Sequence, residues 1–269
     1  MRSICFYSDY GYEDDFAGVC RAVISRIAPG VQVIDVTHGI RPQSVLSGAF
    51  VVRNTLPYMP ERAVHLAVVD PGVGGERRAV ALRSAGDRLF VGPDNGLLVP
   101  AAEADDGIVE AIELTSAELW LEPLSATFHG RDIFAPVAAH LAQGVPLLEA
   151  GRPLQPDELV RLDVPEPQYA PDGVDAHAVL IDRYGNVALD CSRDCLQSAD
   201  LGRDIELVSG GQRYHARVAS TFSGVRRSDI VVLIDSYGQA AVCVREGSAA
   251  EVLSLDVGDV VGLRRLAGP

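Results

Sequence analysis

The chain contains no lysine: all 23 basic residues are arginine, and they stand against 37 acidic residues for a net charge of −14. Without lysine, Schiff-base catalysis and a lysine-containing phosphate loop are excluded. The acidic balance argues against binding nucleic acid through its phosphates. Long apolar runs are also missing, and Met1–Ile4 has no signal-peptide features. The sequence therefore predicts a cytoplasmic protein with neither nucleic-acid nor membrane partners.

Cysteine is scarce as well, with five residues in the chain. An odd number of cysteines without a signal peptide predicts reduced, mostly buried thiols. Cys191 and Cys195 are four residues apart, but no second pair with zinc-site spacing accompanies them. We therefore expect no metal site.

Alternating strand and helix patterns predict an α/β domain with a mostly parallel central sheet over residues 1–162. Strands are expected at 3–7, 31–36, 63–69, 78–83 and 89–91, and helices after Asp14 or Asp15 (either of which could cap), at 43–56 and at 132–143. Six of the sixteen prolines fall between Pro146 and Pro171. That composition is typical of an irregular crossover, and residues 163–174 are predicted to be a linker.

Residues 175–269 carry a different pattern, in which short apolar runs alternate with turn residues. Strands are expected at 178–181, 205–208, 213–218, 230–234, 240–244 and 260–266, with a hairpin turn at Ser209–Gln212. This spacing predicts an antiparallel β-barrel-like domain. No internal repeat is evident in either domain.

The most informative segment is Val68–Arg78, in which an apolar run leads into Asp70, a Pro/Gly-rich loop and two arginines. Ligand sites of α/β sheets collect at the carboxyl ends of strands, so Asp70 is a candidate site residue. A tight turn with a capping aspartate is the alternative that this segment alone leaves open.

Three further segments, Ser8–Asp15, Thr127–Phe134 and Ile181–Asn186, follow the same order as motifs of one family. Together with the Asp70 loop they resemble the S-adenosyl-L-methionine (SAM) hydroxide adenosyltransferases, which are SAM hydrolases related to fluorinase and chlorinase. The resemblance spans Ser8 to about Ala250. It implies an α/β domain followed by a β-barrel, and a homotrimer with active sites between subunits.

The resemblance implies hydrolysis of SAM to adenosine and L-methionine by water attacking the ribose C5′. Asp70, Arg77 and His129 match the family's proposed catalytic triad, with Arg78 as the competing arginine. SAM is then the substrate, and no cofactor is expected. The fluorinase carries a serine where this chain has Gly130, which favours hydrolysis. A chlorinase-like halogenase and a non-catalytic SAM or nucleoside sensor remain as alternatives.

The same resemblance implies a set of substrate-binding residues. Asp14 matches the residue that accepts hydrogen bonds from both ribose hydroxyls, and a role as helix N-cap is equally compatible with its position. Asp9 is expected either to bind the substrate or to brace the site. Asp182 matches the acceptor for the methionine amino group. The purine and the methionine carboxylate are expected to contact the remaining candidates, which are Phe128, Tyr184, Asn186, Phe222, Ser236, Tyr237 and Arg245. The last two depart from the common hydrolase pattern, so carboxylate recognition stays open.

Overall fold

The structure is a computed structural model that describes residues 1–164, 166–223 and 225–266. It divides into two compact units, Met1–Leu162 and Asp163–Pro269. Each unit has its own hydrophobic core. Within the described part of the chain, no helix is both long enough and apolar enough to cross a membrane.

The first unit contains one seven-stranded sheet, ordered β2-β1-β3-β5-β4-β6-β7. Its strands are β1 (Ile4–Ser8), β2 (Val33–Thr37), β3 (Val64–Val68), β4 (Ala79–Ser84), β5 (Leu89–Pro93), β6 (Ile108–Leu114) and β7 (Gly151–Leu154). β2, β1, β3 and β5 pair in parallel, whereas β4 is antiparallel to both β5 and β6, and β7 to β6. Five strands therefore run in one direction, so the predicted mostly parallel sheet is confirmed.

Four helices cover the two faces of this sheet. They are α1 (Phe16–Ile27), α2 (Val45–Thr55), α3 (Val99–Ala104) and α4 (Ala135–Gln143). Because side chains alternate along β1, Phe6 packs with the core beneath α1 and α4, while Tyr7 packs with the core beneath α2 and α3. The result is a three-layer α/β/α unit.

The helix ends follow local sequence signals, with two differences from expectation. Ser44 caps α2 by accepting a hydrogen bond from the Ser47 amide, and Gly144 ends α4 in the left-handed conformation. Asp15 occupies the N-cap of α1, but its side chain makes no capping hydrogen bond. A π-helical turn over Gly130–Phe134 precedes α4, where the sequence predicted regular helix from residue 132.

The second unit is a closed barrel of seven strands with one added strand. Its strands are β8 (Gln168–Ala170), β9 (Gly173–Ile181), β10 (Val187–Ser192), β11 (Asp204–Ser209), β12 (Gln212–Val218), β13 (Ile230–Ile234), β14 (Gln239–Val244) and β15 (Val260–Arg265). Pairing of β9 with β10 closes the ring, and β8 adds to β9. The pairs are antiparallel except for the parallel pair β12–β13. Strand β8 lies in the segment predicted to be a linker.

Short helices and turns complete the barrel unit. α5 (Arg193–Ser198) follows β10, and α6 (Ala249–Val252) follows β14. Gly210 and Gly211 have φ values of 55° and 78°, which suit the two-residue hairpin predicted there.

The cysteine prediction is wrong in one respect. Cys191 and Cys195 form a disulfide across the β10–α5 junction, with their Cα atoms 5.5 Å apart. Strand-to-helix geometry brings the two side chains within bonding distance, which spacing alone did not reveal. Cys5, Cys20 and Cys243 are free and buried, as expected.

Candidate active site

Three predicted residues meet at the carboxyl end of β3. Asp70 lies two residues beyond that strand, and the loop after it returns Arg77 to the same place. Arg77 Nε donates to Asp70 Oδ1 at 2.9 Å, and its Nη2 donates to Oδ2 at 2.5 Å. The same Nη2 lies 2.8 Å from His129 Nδ1. A carboxylate, a guanidinium and an imidazole therefore form one continuous hydrogen-bonded cluster.

Glycine lets the two loops that carry this cluster approach each other. Gly74 has φ of 75°, and a Cβ atom there would lie 2.1 Å from the carbonyl oxygen of Ala126, three residues before His129. Both the positive φ and the close approach require glycine. Gly74 of the Asp70 loop thus serves loop-to-loop packing, which brings His129 within reach of Arg77.

The cluster is largely shielded from solvent. The side chains of Asp70 and Arg77 are 7% and 11% exposed, and the guanidinium carbon lies 5.2 Å from the centre of the Phe134 ring. Burial, and next the positive charge of Arg77, lower the pKa of His129 below its ordinary value. The imidazole is therefore neutral near pH 7. Because Nδ1 accepts from Arg77, its proton lies on Nε2.

A cavity of about 300 Å³ opens beside the cluster. Its lining includes Asp9, Tyr10, Asp70, Phe128, His129 and Gly130. Burial is the largest influence on Asp9 and raises its pKa, although Asp9 Oδ2 accepts a hydrogen bond from the Gln43 amide at 2.8 Å. Asp14, predicted to hold the ribose, is exposed beside the start of α1 and is not among the lining residues.

Tyr10 is a site residue that sequence reasoning missed. Its hydroxyl lies 2.0 Å from the position that a Cβ atom on Gly130 would take. Burial is the main cause that raises the pKa of Tyr10 well above its ordinary value, so the phenol keeps its proton and can donate a hydrogen bond. The one sequence signal for Tyr10 was its position next to Asp9, a predicted substrate-binding residue.

Neighbouring charged residues have partners of their own. Arg78 pairs with Asp94, its Nη2 lying 2.6 Å from Oδ2, and so lies outside the cluster. Arg131 Nε donates to the buried Asp132 at 2.6 Å. These pairs leave Arg77 as the arginine of the cluster.

A second cavity, of about 360 Å³, lies in the barrel unit. Its lining includes the candidates Asp182, Asn186, Phe222, Ser236 and Tyr237, together with Asp235. Leu233, Ala241 and Cys243 also line it, and they alternate along β13 and β14 with side chains of the barrel core. The cavity is therefore on the outer face of the barrel.

Two barrel candidates lie outside this cavity. Tyr184 is 74% exposed at the tip of its turn. Arg245 donates through Nη1 to the Val225 carbonyl, and its Nε lies 4.0 Å from Glu246. Seven of the predicted substrate-binding residues lie between residues 182 and 245. Five of them line this cavity, and Tyr184 and Arg245 do not.

An α/β sheet with a buried Asp–Arg–His cluster beside a cavity at its carboxyl edge is the architecture of a small-molecule enzyme. The chain belongs to the SAM hydroxide adenosyltransferase family: the model of the family's N-terminal domain matches residues 4–151, and that of its C-terminal domain matches residues 176–262.

Individual relatives agree with this assignment. The chain is 48% identical over 95% of both chains to an (R)-S-adenosyl-L-methionine hydrolase of Salinispora tropica. A fluorinase of Actinoplanes is more distant, with 30% identity over 95% of both chains. A solved structure of an uncharacterized conserved protein from Thermotoga maritima superimposes with a TM-score of 0.90 at 35% identity, over 97% of this chain and 100% of that one.

Proposed function

We propose that this chain hydrolyses SAM to adenosine and L-methionine at the cluster of Asp70, Arg77 and His129. The observation that carries the proposal is the contact of Arg77 with both partners at once. It joins three residues from two distant segments beside a cavity, in a chain whose relative at 48% identity is named an SAM hydrolase.

The chemistry requires an activated water. Water attacks the ribose C5′, the C5′–S bond breaks, and its electron pair stays on sulfur, which leaves as a neutral thioether. Because the sulfonium is a good leaving group, sulfur needs no general acid, and the proposed reaction uses no metal or cofactor. Catalysis therefore depends on orienting the water and removing its proton.

The three side chains divide this work. Arg77 donates once to Asp70 Oδ1 and twice to Oδ2, so Oδ1 keeps a lone pair with which the carboxylate can accept the proton that the water loses. Arg77 is permanently charged and stabilises the developing negative charge on the oxygen. Neutral His129, with its proton on Nε2, can donate a hydrogen bond that aims the water. The proton then returns from Asp70 to solvent after the products leave.

Substrate recognition is proposed from the two cavities. Asp9 and Phe128 face the first cavity, and Asp14 stands outside it at α1. In the barrel cavity, Asp182 is proposed for the amino group and Asn186 and Phe222 for the purine. We also propose a cytoplasmic homotrimer with active sites between subunits, which analytical ultracentrifugation tests.

Halogenation has less support. A serine at position 130, as in the fluorinase, would place its Cβ 2.0 Å from the Tyr10 hydroxyl. The space for that side chain is already occupied. A non-catalytic sensor would not require the buried Arg77 bridge, whose two partners are costly to hold in place.

The decisive experiment mixes pure protein with SAM in water labelled with a heavy oxygen isotope. We expect the label in the 5′-hydroxyl of adenosine. Asp70→Ala and His129→Ala should lower turnover by about 100-fold or more while SAM still binds. His215→Ala is the matched control, because that histidine is exposed. Unlabelled adenosine, or full activity in both variants, would refute the proposal.

A further inference from the structure

Two tyrosines close to the end of β1 differ in how their hydroxyls are satisfied. The Tyr7 hydroxyl lies 3.1 Å from His65 Nδ1 and accepts a hydrogen bond from Thr55 Oγ1 at 3.3 Å. Within residues 1–164, 166–223 and 225–266, no hydrogen-bond partner lies on the Tyr10 hydroxyl. It is also not one of the partnerless polar atoms that this part of the chain seals in its core, so it opens to the cavity that Tyr10 lines. An unpaired hydroxyl on a largely buried side chain is destabilising, and a ligand in the cavity explains why it is kept.

The ring that carries this hydroxyl is held on three sides. Its centroid lies 6.4 Å from that of Phe6, 5.7 Å from that of Phe16 and 5.9 Å from that of Phe128. The Tyr10 amide donates to Ser8 Oγ at 3.3 Å, which fixes the backbone as well. Edge and tilted contacts of this kind are favourable for aromatic rings. The hydroxyl is therefore preorganised before any ligand binds.

The Tyr10 hydroxyl packs against the loop that carries the cluster. A Cβ atom on Gly130 would lie 2.0 Å from the hydroxyl oxygen, and Gly130 directly follows His129. Tyr10, His129 and Asp70 line the same cavity. Burial is the largest cause that raises the pKa of Tyr10, and the charge of Asp70 adds to it. The phenol is therefore protonated beside the residues that are proposed to activate water.

The attacking oxygen has room for a donor of this kind. When water gives one proton to Asp70, the oxygen that remains has three lone pairs. One pair forms the bond to C5′ while the C5′–S bond breaks and sulfur keeps its electron pair. The Nε2–H of His129 can donate to the second pair, and the O–H of Tyr10 to the third.

We propose that Tyr10 is a further catalytic residue, whose hydroxyl donates a hydrogen bond to the attacking oxygen as that oxygen loses its proton. This bond strengthens as negative charge develops, so it stabilises the transition state more than the bound substrate. Gly130 is a positioning residue for Tyr10, because any side chain at position 130 would displace the hydroxyl. The inference rests on the proposed function, since it assigns a role in the same reaction.

Steady-state kinetics of Tyr10→Phe tests this role, because the change removes one oxygen and keeps the ring. We expect kcat with SAM to fall by at least about tenfold, while KM stays within about twofold of the wild-type value. Tyr7→Phe is the matched control, since it removes a buried hydroxyl whose partners, His65 and Thr55, lie away from the cavity lining. Its kcat should equal that of the wild type.

A binding measurement separates contact with the water from contact with SAM. Equilibrium dialysis compares the affinity for SAM of Asp70→Ala with that of the double variant Asp70→Ala/Tyr10→Phe, and neither of them should turn the substrate over. We expect equal affinities, because the hydroxyl donates to the attacking oxygen and not to the substrate. Weaker binding by the double variant would assign the hydroxyl to a group of SAM and overturn the inference.

The kinetic results also distinguish this inference from the proposed function. A Tyr10→Phe variant whose kcat stays within about threefold of an active wild type would overturn the inference and leave the proposed function standing. A wild-type chain that forms no adenosine from SAM would refute the proposed function, and the inference with it.

Discussion

The contact between Tyr10 and Gly130 predicts that Gly130→Ala destabilises the folded chain and that Tyr10→Phe restores part of the lost stability. In Gly130→Ala, the new Cβ would lie 2.0 Å from the Tyr10 hydroxyl oxygen. Ordinary contacts between such atoms need about 3.5 Å, so one of the two groups must move by more than about 1 Å. Overpacking of this kind typically costs about 1–3 kcal/mol in free energy of unfolding.

Removing the hydroxyl should relieve the clash. In Tyr10→Phe, the nearest atom to the new Cβ becomes the ring carbon Cζ at 3.1 Å, followed by a Phe128 ring carbon at 3.5 Å. The first needs a shift of only a few tenths of an ångström. We therefore expect the double variant to recover about 1–2 kcal/mol relative to the sum of the single changes.

Urea unfolding monitored by tryptophan fluorescence measures this coupling. Trp120 is the single tryptophan in the sequence, and it packs against the first unit's core beneath α1 and α4, so its signal reports on the unit that changes. The transition slope should stay constant while the midpoint moves. Additive single effects, within about 0.5 kcal/mol, would show that the hydroxyl does not occupy the space next to Gly130.

Two further changes test the cluster and the core. In Arg77→Lys, a single ammonium replaces the guanidinium that bonds both Asp70 and His129, so kcat should fall about 100-fold with little change in KM. Arg26→Lys, at an exposed position, is the control and should have no effect. Equal kcat values for the two variants would refute the catalytic role of the Arg77 bridge. His65 is fully buried, and its pKa is lowered to about 3, mainly by burial. The unfolded chain binds this proton first, so the free energy of unfolding should fall by up to about 5 kcal/mol between pH 6.5 and 3. His65→Phe should flatten that loss, and an unchanged acid profile in the variant would contradict it.

Strands with continuous apolar runs could be predicted from sequence because burial on both faces leaves a simple pattern. β13 begins and ends at the predicted residues, Ile230–Ile234. The prediction missed α3, which is a six-residue helix with proline at its second position, and β6, whose two central glutamates interrupt the apolar pattern. Both are fixed by tertiary packing against β4.

Contacts in the site could be predicted from the sequence where both residues belong to one short segment. Contacts between residues far apart in the sequence could not. Asp70 and Arg77 stand in one loop, so their pairing follows from a single motif. Tyr10 and Gly130 are 120 positions apart, and only the folded chain shows that the hydroxyl of one requires the missing side chain of the other.

The choice between Arg77 and Arg78 has a physical reason that the sequence already contained. Both arginines lead directly into β4, which begins at Ala79. Successive residues of an extended chain point to opposite sides, so two adjacent arginines cannot serve the same carboxylate. Arg77 reaches Asp70, and Arg78 reaches Asp94 beyond the end of β5. Exchanging their roles would need a one-residue shift of β4 against both β5 and β6, which would turn its buried side chains to the wrong face of the sheet.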